Sequence, residues 1–489
     1  MTKLSLLAFD LGASNGRGIV GAFDGKRVEL TELHRFENNF STYDDISFWD
    51  ANALLSNMKE SFRKAKANGV RIDCFGVDTW GVDYGLLGED GRLLDDPRAY
   101  RCATDDDMER AWRTVPKRTL FERTGIANMN FNTVYQLYRR VREKNPNLQH
   151  AETMLLMPDL LGYLLTGVKK SEYTNVTTTN LYDVKTHDWD YQTIDELGIP
   201  RRIFTDIDRA GTLRGKLTDA VANELGVERA AYAAVGTHDT ASAVAAIPGE
   251  GSFAFCSSGT WSLFGVETDA PVLTEAIYAS NFSNEGTVQG GCRPLKNIMG
   301  LWLIQECRRE WKRAGEDWSW DEIVVAAEHA APFRSLIDPD YSEFFSAGNM
   351  LQKIRRYCNR TGQPVPETVG EIARCIYESL ALKYRWALER LEEIKGAPID
   401  SLNITGGGIQ NGLLNRFAAD ATNVPVIAGP VEGAALGNVL YQAVALGELD
   451  GIRDVREVVR ASIELKTYEP HRTQAWEDAY GRMLGYMRA

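Results

Sequence analysis

A chain of 489 residues is too long for one ordinary hydrophobic core, and at roughly 100–200 residues per domain it is expected to form two or three. Apolar residues at 44% and charged residues at 25% lie near the globular average, which excludes a collagenous, mucin-like or wholly disordered chain. The 55 Lys and Arg against 68 Asp and Glu leave a net charge of −13, so no broad electropositive surface for nucleic acid is expected, only room for a local basic pocket that takes a small anion.

The opening MTKLSLLAFD holds a brief apolar run before Asp10, too short for a signal peptide, and nowhere do the ~18 apolar residues of a bilayer span run together. A cytoplasmic protein without a membrane partner is expected, as a monomer or small homo-oligomer. Seven cysteines with no CxxC pair and six scattered histidines argue against a zinc cluster. Free thiols are expected, with the proximity of Cys358 and Cys375 left open.

In chain order, Leu4 to Phe9 reads as a short buried strand and Gly18 to Phe23 as its return, with a small-residue turn over residues 10–17. Asp24-Gly25 signals a hairpin into a third strand, Arg27–Phe36. A helix is expected over about 50–68, with Asp50 as N-cap and Gly69 at its end, then a strand over Ile72–Val77. The pattern recurs about 245 residues later. Ser252–Cys256 reads as a strand, Ser257–Thr260 as a tight turn, and Trp261–Val266 as a return strand. An apolar stripe at Val369, Ile372, Ile376, Leu380, Ala387 and Leu391 marks a helix that opens near Pro366 and closes at Gly396 and Pro398. A strand over Leu402–Thr405 leads into Gly406-Gly407-Gly408, with a helix from about Asn411. Three hairpin-linked strands, a helix and another strand resemble the opening of a ribonuclease-H-like αβ unit. Two such lobes are expected, 1–246 and 247–489, joined by a hinge near 244–251.

Several of these turns carry residues suited to chemistry. Asp10 precedes a loop, Ala13-Ser14-Asn15-Gly16-Arg17, small enough to bring backbone N–H groups close to phosphate, with Arg17 as a cation. An acid beside phosphate makes sense with Mg²⁺ between them; otherwise this is a plain hairpin with a capping Asp. Ser257–Thr260 is the matching turn, and Thr260 its best donor. Gly406–Gly408 admits a flat ring or a phosphate, or is only a tight connection. It is not GxGxxG, and neither a P-loop nor the protein-kinase motifs occur. His238-Asp239-Thr240 follows the strand Ala231–Val235. Asp239 there can accept a proton from an alcohol while His238 and Thr240 orient it, or Asp239 or Thr240 merely caps a helix. Trp80-Gly81-Val82-Asp83 offers a ring face, bare backbone and a carboxylate for a sugar, or is core and rim. Lys296-Asn297 reads as a helix start running through Glu306, with Asn297 as donor or N-cap and Gln305 one face further on.

Taken together, the motifs resemble the FGGY family of carbohydrate kinases, within the actin-like ATPase superfamily. They are DLGASNGR at 10–17, DTWGVD at 78–83, LLMPD at 155–159, EYTNVTTTNL at 172–181, HDTASAV at 238–244, SSGTWSL at 257–263, KNIMGLWL at 296–303 and GGG-IQN at 406–411. Asn15 stands where the pattern expects Ser. The resemblance implies an α/β chain of two ribonuclease-H-like (actin-like ATPase) domains with a nucleotide/sugar cleft between them. It further implies transfer of the ATP γ-phosphoryl group to O1 of L-rhamnulose. Asp239 would be the base and Asp10 would hold Mg²⁺ through water. Ala13, Ser14, Asn15, Gly16, Arg17, Thr260, Gln305 and Gly407 would position ATP, and Gly81, His238, Thr240 and Asn297 the sugar. The alternatives are another ketose, L-fuculose or L-ribulose, or a silent sugar sensor on the same fold.

Overall fold

The computed structural model describes residues 3–44, 46–471 and 473–487. They form two compact units that interleave along the chain. The first comprises residues 1–248, 267–294 and 433–463, and the second 249–266, 295–432 and 464–489. The first crossing thus lies two residues past the expected cut at 246/247. The chain returns twice more to the first unit, so a single boundary does not describe the packing.

The first unit is built on a six-stranded sheet in the order Thr212–Lys216, Ala231–Ala234, Cys74–Thr79, Leu4–Leu11, Asn15–Phe23, Val28–Glu37. The central three strands run parallel, and the outer pairings are antiparallel. In the second unit the order is 295–299, Trp261–Gly265, Phe253–Ser258, Ser401–Thr405, Val426–Ala428, Lys466–Tyr468. Its pairings repeat the same series of two antiparallel, two parallel and one antiparallel. A helix enters the fourth strand in chain order of each series: Ala51–Ala67 precedes Cys74–Thr79 in the first unit, and Val369–Lys395, the last of several helices there, precedes Ser401–Thr405 in the second. The repeat expected from two similar turns is therefore a repeat of whole sheets.

Strand periodicity explains why both faces of the first sheet are covered. Leu7, Phe9 and Leu11 point to one side and pack with Met58, Phe62 and Phe75. Leu6 and Ala8 point to the other, against Ala241, Ala245, Leu436, Val439 and Leu440. That second face needs the helix Gly433–Ala445, which is why residues 433–463 leave the second half of the sequence to join the first unit. The helix is anchored there by Gln442, which donates to the Leu7 carbonyl at 3.1 Å. A third apolar cluster, including Leu86, Tyr135, Leu137, Met154 and Leu181, holds the chain between the fourth and fifth strands of this unit together.

The helix ends follow local chemistry. Asp50 caps Ala51–Ala67 by accepting from the Ala53 amide at 2.8 Å, as expected. Val369–Lys395 opens on a capping box between Thr368 and Glu371, a Thr-x-x-Glu signal two residues past Pro366, and closes at Gly396 with φ +66°. All seven cysteines are free thiols, and Cys375 lies within hydrogen-bonding reach of Cys358. Among the described residues no helix is long and apolar enough to cross a membrane.

Gly437 is the tightest point of this packing. A Cβ placed on it would lie 1.9 Å from the Ser242 carbonyl oxygen, on the short helix that begins with Asp239. Gly437→Ala should therefore cost about 1–3 kcal/mol through overpacking, read as a lowered urea midpoint. An unchanged midpoint would mean the two helices are not in backbone contact.

Candidate active site

The parallel strands of the first unit bring three carboxylates to one edge. Asp10 is paired in register with Asp78, and Thr79 bridges His238, the residue before Asp239. The turn after Asp10 is shorter than the sequence suggested, because Asn15–Arg17 already belong to the returning strand. Gly12 N–H bonds to the Asn15 carbonyl at 2.9 Å, and Asn38 holds the turn through Gly12 and Ser14. Ser14 and Asn15 are exposed at its tip, whereas Gly16 is buried against Phe36 and Leu11. Arg17 stands opposite Asp10 and is ion-paired to it.

Asp78, within DTWGVD, is completely buried and joins the site, a position that the motif by itself does not mark. Its Oδ2 accepts from Asn438 at 2.6 Å and its Oδ1 has no partner. Burial, and then the Asp10 charge, push its carboxyl well above the ordinary carboxylate range. The only available signal was an Asp at the end of an otherwise apolar strand.

Asp239 is the first residue of the helix Asp239–Ala245, so neither it nor Thr240 is the N-cap; His238 holds that place and makes no side-chain capping bond. The Asp239 side chain keeps 32% of its surface exposed. Thr240 donates to its Oδ1 at 3.0 Å, and His238 Nε2 lies 3.6 Å from the same oxygen. Burial raises its pKa; the neighbouring His238 opposes that shift and the Asp10 charge adds to it.

The block 80–83 differs from the sugar platform expected of it. Asp83 is buried, and its carboxylate accepts from Trp49 Nε1 at 2.7 Å, Trp80 Nε1 at 2.9 Å, the Tyr100 amide at 3.1 Å and Gln136 Nε2 at 3.1 Å. Three of these donors reach Oδ2 and one reaches Oδ1, so Asp83 is tied into the protein and organises the loop. Burial outweighs those donors and pushes its pKa up to about 6. The loop is also strained: Val82, β-branched, sits at φ +69° and is held by the Thr178 hydroxyl.

In the second unit, Thr260 is exposed at the turn between Phe253–Ser258 and Trp261–Gly265. Its hydroxyl lies 3.4 Å from Gln305 Oε1, and its carbonyl accepts from Gly300 and Trp302 as the helix Trp302–Arg313 begins. Thr260 and Gln305 are thus brought together. Asn297 is not on a helix: it lies in the strand Cys292–Met299, opposite Leu263. The helix start moves to Trp302 because ladder bonds to Trp261–Gly265 take up the backbone through Met299. Asn297 also belongs to the second unit, while Gly81, His238 and Thr240 belong to the first.

The three glycines have different reasons. A Cβ on Gly406 would meet the Ser258 carbonyl at 2.9 Å, and one on Gly408 the Ser258 hydroxyl at 2.0 Å. Around Gly407 there is open space, which suits close approach of a ligand. Asn411 caps the following helix, Gly412–Thr422.

This arrangement has relatives. Residues 5–246 match the N-terminal domain and residues 254–446 the C-terminal domain of the FGGY family of carbohydrate kinases. A rhamnulokinase of Bacteroides thetaiotaomicron is 43% identical over 98% of this chain and 98% of its own, and one of Bacillus subtilis is 38% identical over 95% of each. Among solved structures, a xylulose kinase from Lactobacillus acidophilus superimposes with a TM-score of 0.81 at 15% identity, over 99% of this chain and 98% of that one. The Plasmodium falciparum glycerol kinase with ADP gives 0.77 at 13% identity, over 99% and 97%. Both share the two-domain α/β fold. With family models over both halves and relatives along its whole length, the chain belongs to the FGGY family of carbohydrate kinases.

Proposed function

We propose that this sugar kinase transfers the γ-phosphoryl group of ATP to O1 of L-rhamnulose, giving L-rhamnulose 1-phosphate and ADP in L-rhamnose catabolism. The observation that carries the reading is Asp239, a partly exposed carboxylate beside an imidazole and a hydroxyl, in a chain whose full-length relatives are named rhamnulokinases. A carboxylate with a raised pKa is the better base for an alcohol, because it holds the proton more firmly once taken. Asp239 accepts the proton of the 1-hydroxyl as that oxygen attacks phosphorus in line. His238, Thr240, Gly81 and Asn297 orient the sugar. Ala13 to Arg17, Thr260, Gln305 and Gly407 orient the nucleotide, largely through backbone N–H groups and neutral donors.

Asp10 is the residue to hold Mg²⁺, through water. Among the described residues no group of three or more His, Cys, Asp or Glu is arranged to hold a metal ion. A carboxylate at the foot of a phosphate-sized turn is instead the donor set of a hydrated Mg²⁺ held mainly by the nucleotide. When bound, the ion neutralises charge on the β- and γ-phosphates.

ADP release measured with Mg-ATP and a ketose panel should show selective turnover of L-rhamnulose over L-fuculose and L-ribulose. Comparable turnover of either competitor would move the substrate, and silence with every sugar despite ATP binding would favour a sensor. Asp239→Asn should lower kcat by about 10²–10⁴-fold with the fold retained by circular dichroism; wild-type turnover in that variant would remove Asp239 as the base. Because Asp239 works ionised and its pKa is raised, kcat/KM for the sugar should fall with decreasing pH along a limb lying above the ordinary aspartate value of about 3.9. A profile flat down to that value would contradict the assignment.

A further inference from the structure

We propose that Arg293 is a positioning residue that locks His238 in its Nε2–H tautomer, so that the imidazole donates to the sugar and leaves proton abstraction to Asp239 alone. This rests on the reading that His238 and Asp239 face the substrate alcohol. Arg293 is completely buried, 55 residues further along the chain, and had no role in the sequence motifs. Its Nη2 lies 2.7 Å from His238 Nδ1 and donates to Glu285 Oε2 at 3.0 Å, while its Nε donates to the Gly286 carbonyl at 3.0 Å.

A guanidinium nitrogen carries only hydrogens to give, so at 2.7 Å His238 Nδ1 has to be the acceptor. The ring proton therefore resides on Nε2. Glu285 lies 3.3 Å from Nδ1 and would otherwise invite a proton there. Arg293 prevents this by taking the carboxylate and the ring nitrogen with the two hydrogens of one Nη2 group. Burial works to raise the Glu285 pKa most strongly, and the Arg293 charge, with His238 and Ser283 beside the carboxylate, together bring it below the usual glutamate value. The backbone is fixed as well: the His238 amide donates to Thr174 at 3.3 Å, and the adjoining Thr237 donates twice to buried Glu172.

The 3.6 Å between Nε2 and Asp239 Oδ1 is longer than a hydrogen bond. A substrate oxygen lying near both atoms would receive the Nε2 proton as a hydrogen bond and point its own O–H at the carboxylate. In the opposite tautomer Nε2 would be a lone pair, giving the oxygen no donor and competing with Asp239 for the same proton.

The test is a two-bond ¹H–¹⁵N correlation on the full chain labelled with ¹⁵N-histidine, with His238→Gln identifying the resonance among six histidines. The expected wild-type signature is a pyridine-like Nδ1 and a pyrrole-like Nε2. Arg293→Lys keeps a donor and should keep that signature. Arg293→Met with Glu285→Gln, which removes both buried charges together, should abolish it and lower kcat/KM for the ketose roughly 10- to 100-fold while KM for ATP changes less than about twofold. An Nδ1–H signature in the wild type, or an unaltered signature and kcat/KM in the double variant, would overturn the inference. Should the double variant fail to fold, the wild-type spectrum decides on its own. A wild type with the Nε2–H signature but no turnover of any ketose would instead reject the proposed reaction and leave the tautomer lock standing.

Discussion

A carboxylate stays charged where water, hydrogen-bond donors or a cation compensate it, and at the sheet edge of the first unit burial and the Asp10 charge outweigh what Asn438 and Arg17 give to Asp78. Asp10 and Asp78 lie near the ends of two parallel strands and Asp239 follows a third, so the pairing that builds the sheet also crowds three acids. Asp10 has Arg17, and Asp239 has Thr240 and a third of its side chain in solvent. Asp78 has one amide donor and no solvent at all. Burial, an Oδ1 without a partner and the Asp10 charge all favour the neutral acid at Asp78, and the more exposed Asp239 is the group left able to take and return a proton.

The second unit repeats the strand order without the acids. Where the first sheet carries Asp10 and Asp78, the corresponding ends of Phe253–Ser258 and Ser401–Thr405 lead into Ser258, Gly259, Thr260 and Gly406 to Gly408. Ser258 packs so closely on Gly406 and Gly408 that no side chain fits at either. The first edge is acidic, and the second is neutral and glycine-lined. Duplicated backbone geometry thus carries diverged residues at the same strand ends.

Much of this was legible in the chain. Strand Leu4–Leu11, helix Ala51–Ala67 with its Asp50 cap and helix Val369–Lys395 with its Gly396 stop all follow from local periodicity and capping. What escaped was set by distant contacts. No local pattern tells the helix Gly433–Ala445 to cover the face made by Leu6 and Ala8. The run from Lys296 has helical polarity, and only its pairing with Trp261–Gly265 makes it a strand. Asp83 has the look of a free acid in DTWGVD, yet Trp49 and Gln136, remote in sequence, bind both its oxygens. The motif residues were visible because chemistry dictates their type. Asp78 and Arg293 act through neighbours that only folding supplies.

The most direct test of the electrostatic account is an infrared difference spectrum, at neutral pH, between the nucleotide- and metal-free protein and its Asp78→Asn variant. The account predicts that a protonated-carboxyl carbonyl band present in the wild type is lost in the variant and retained in Asp239→Asn. A difference spectrum containing only carboxylate bands would show Asp78 ionised, and would contradict the claim that one neutral acid makes room for a working Asp239.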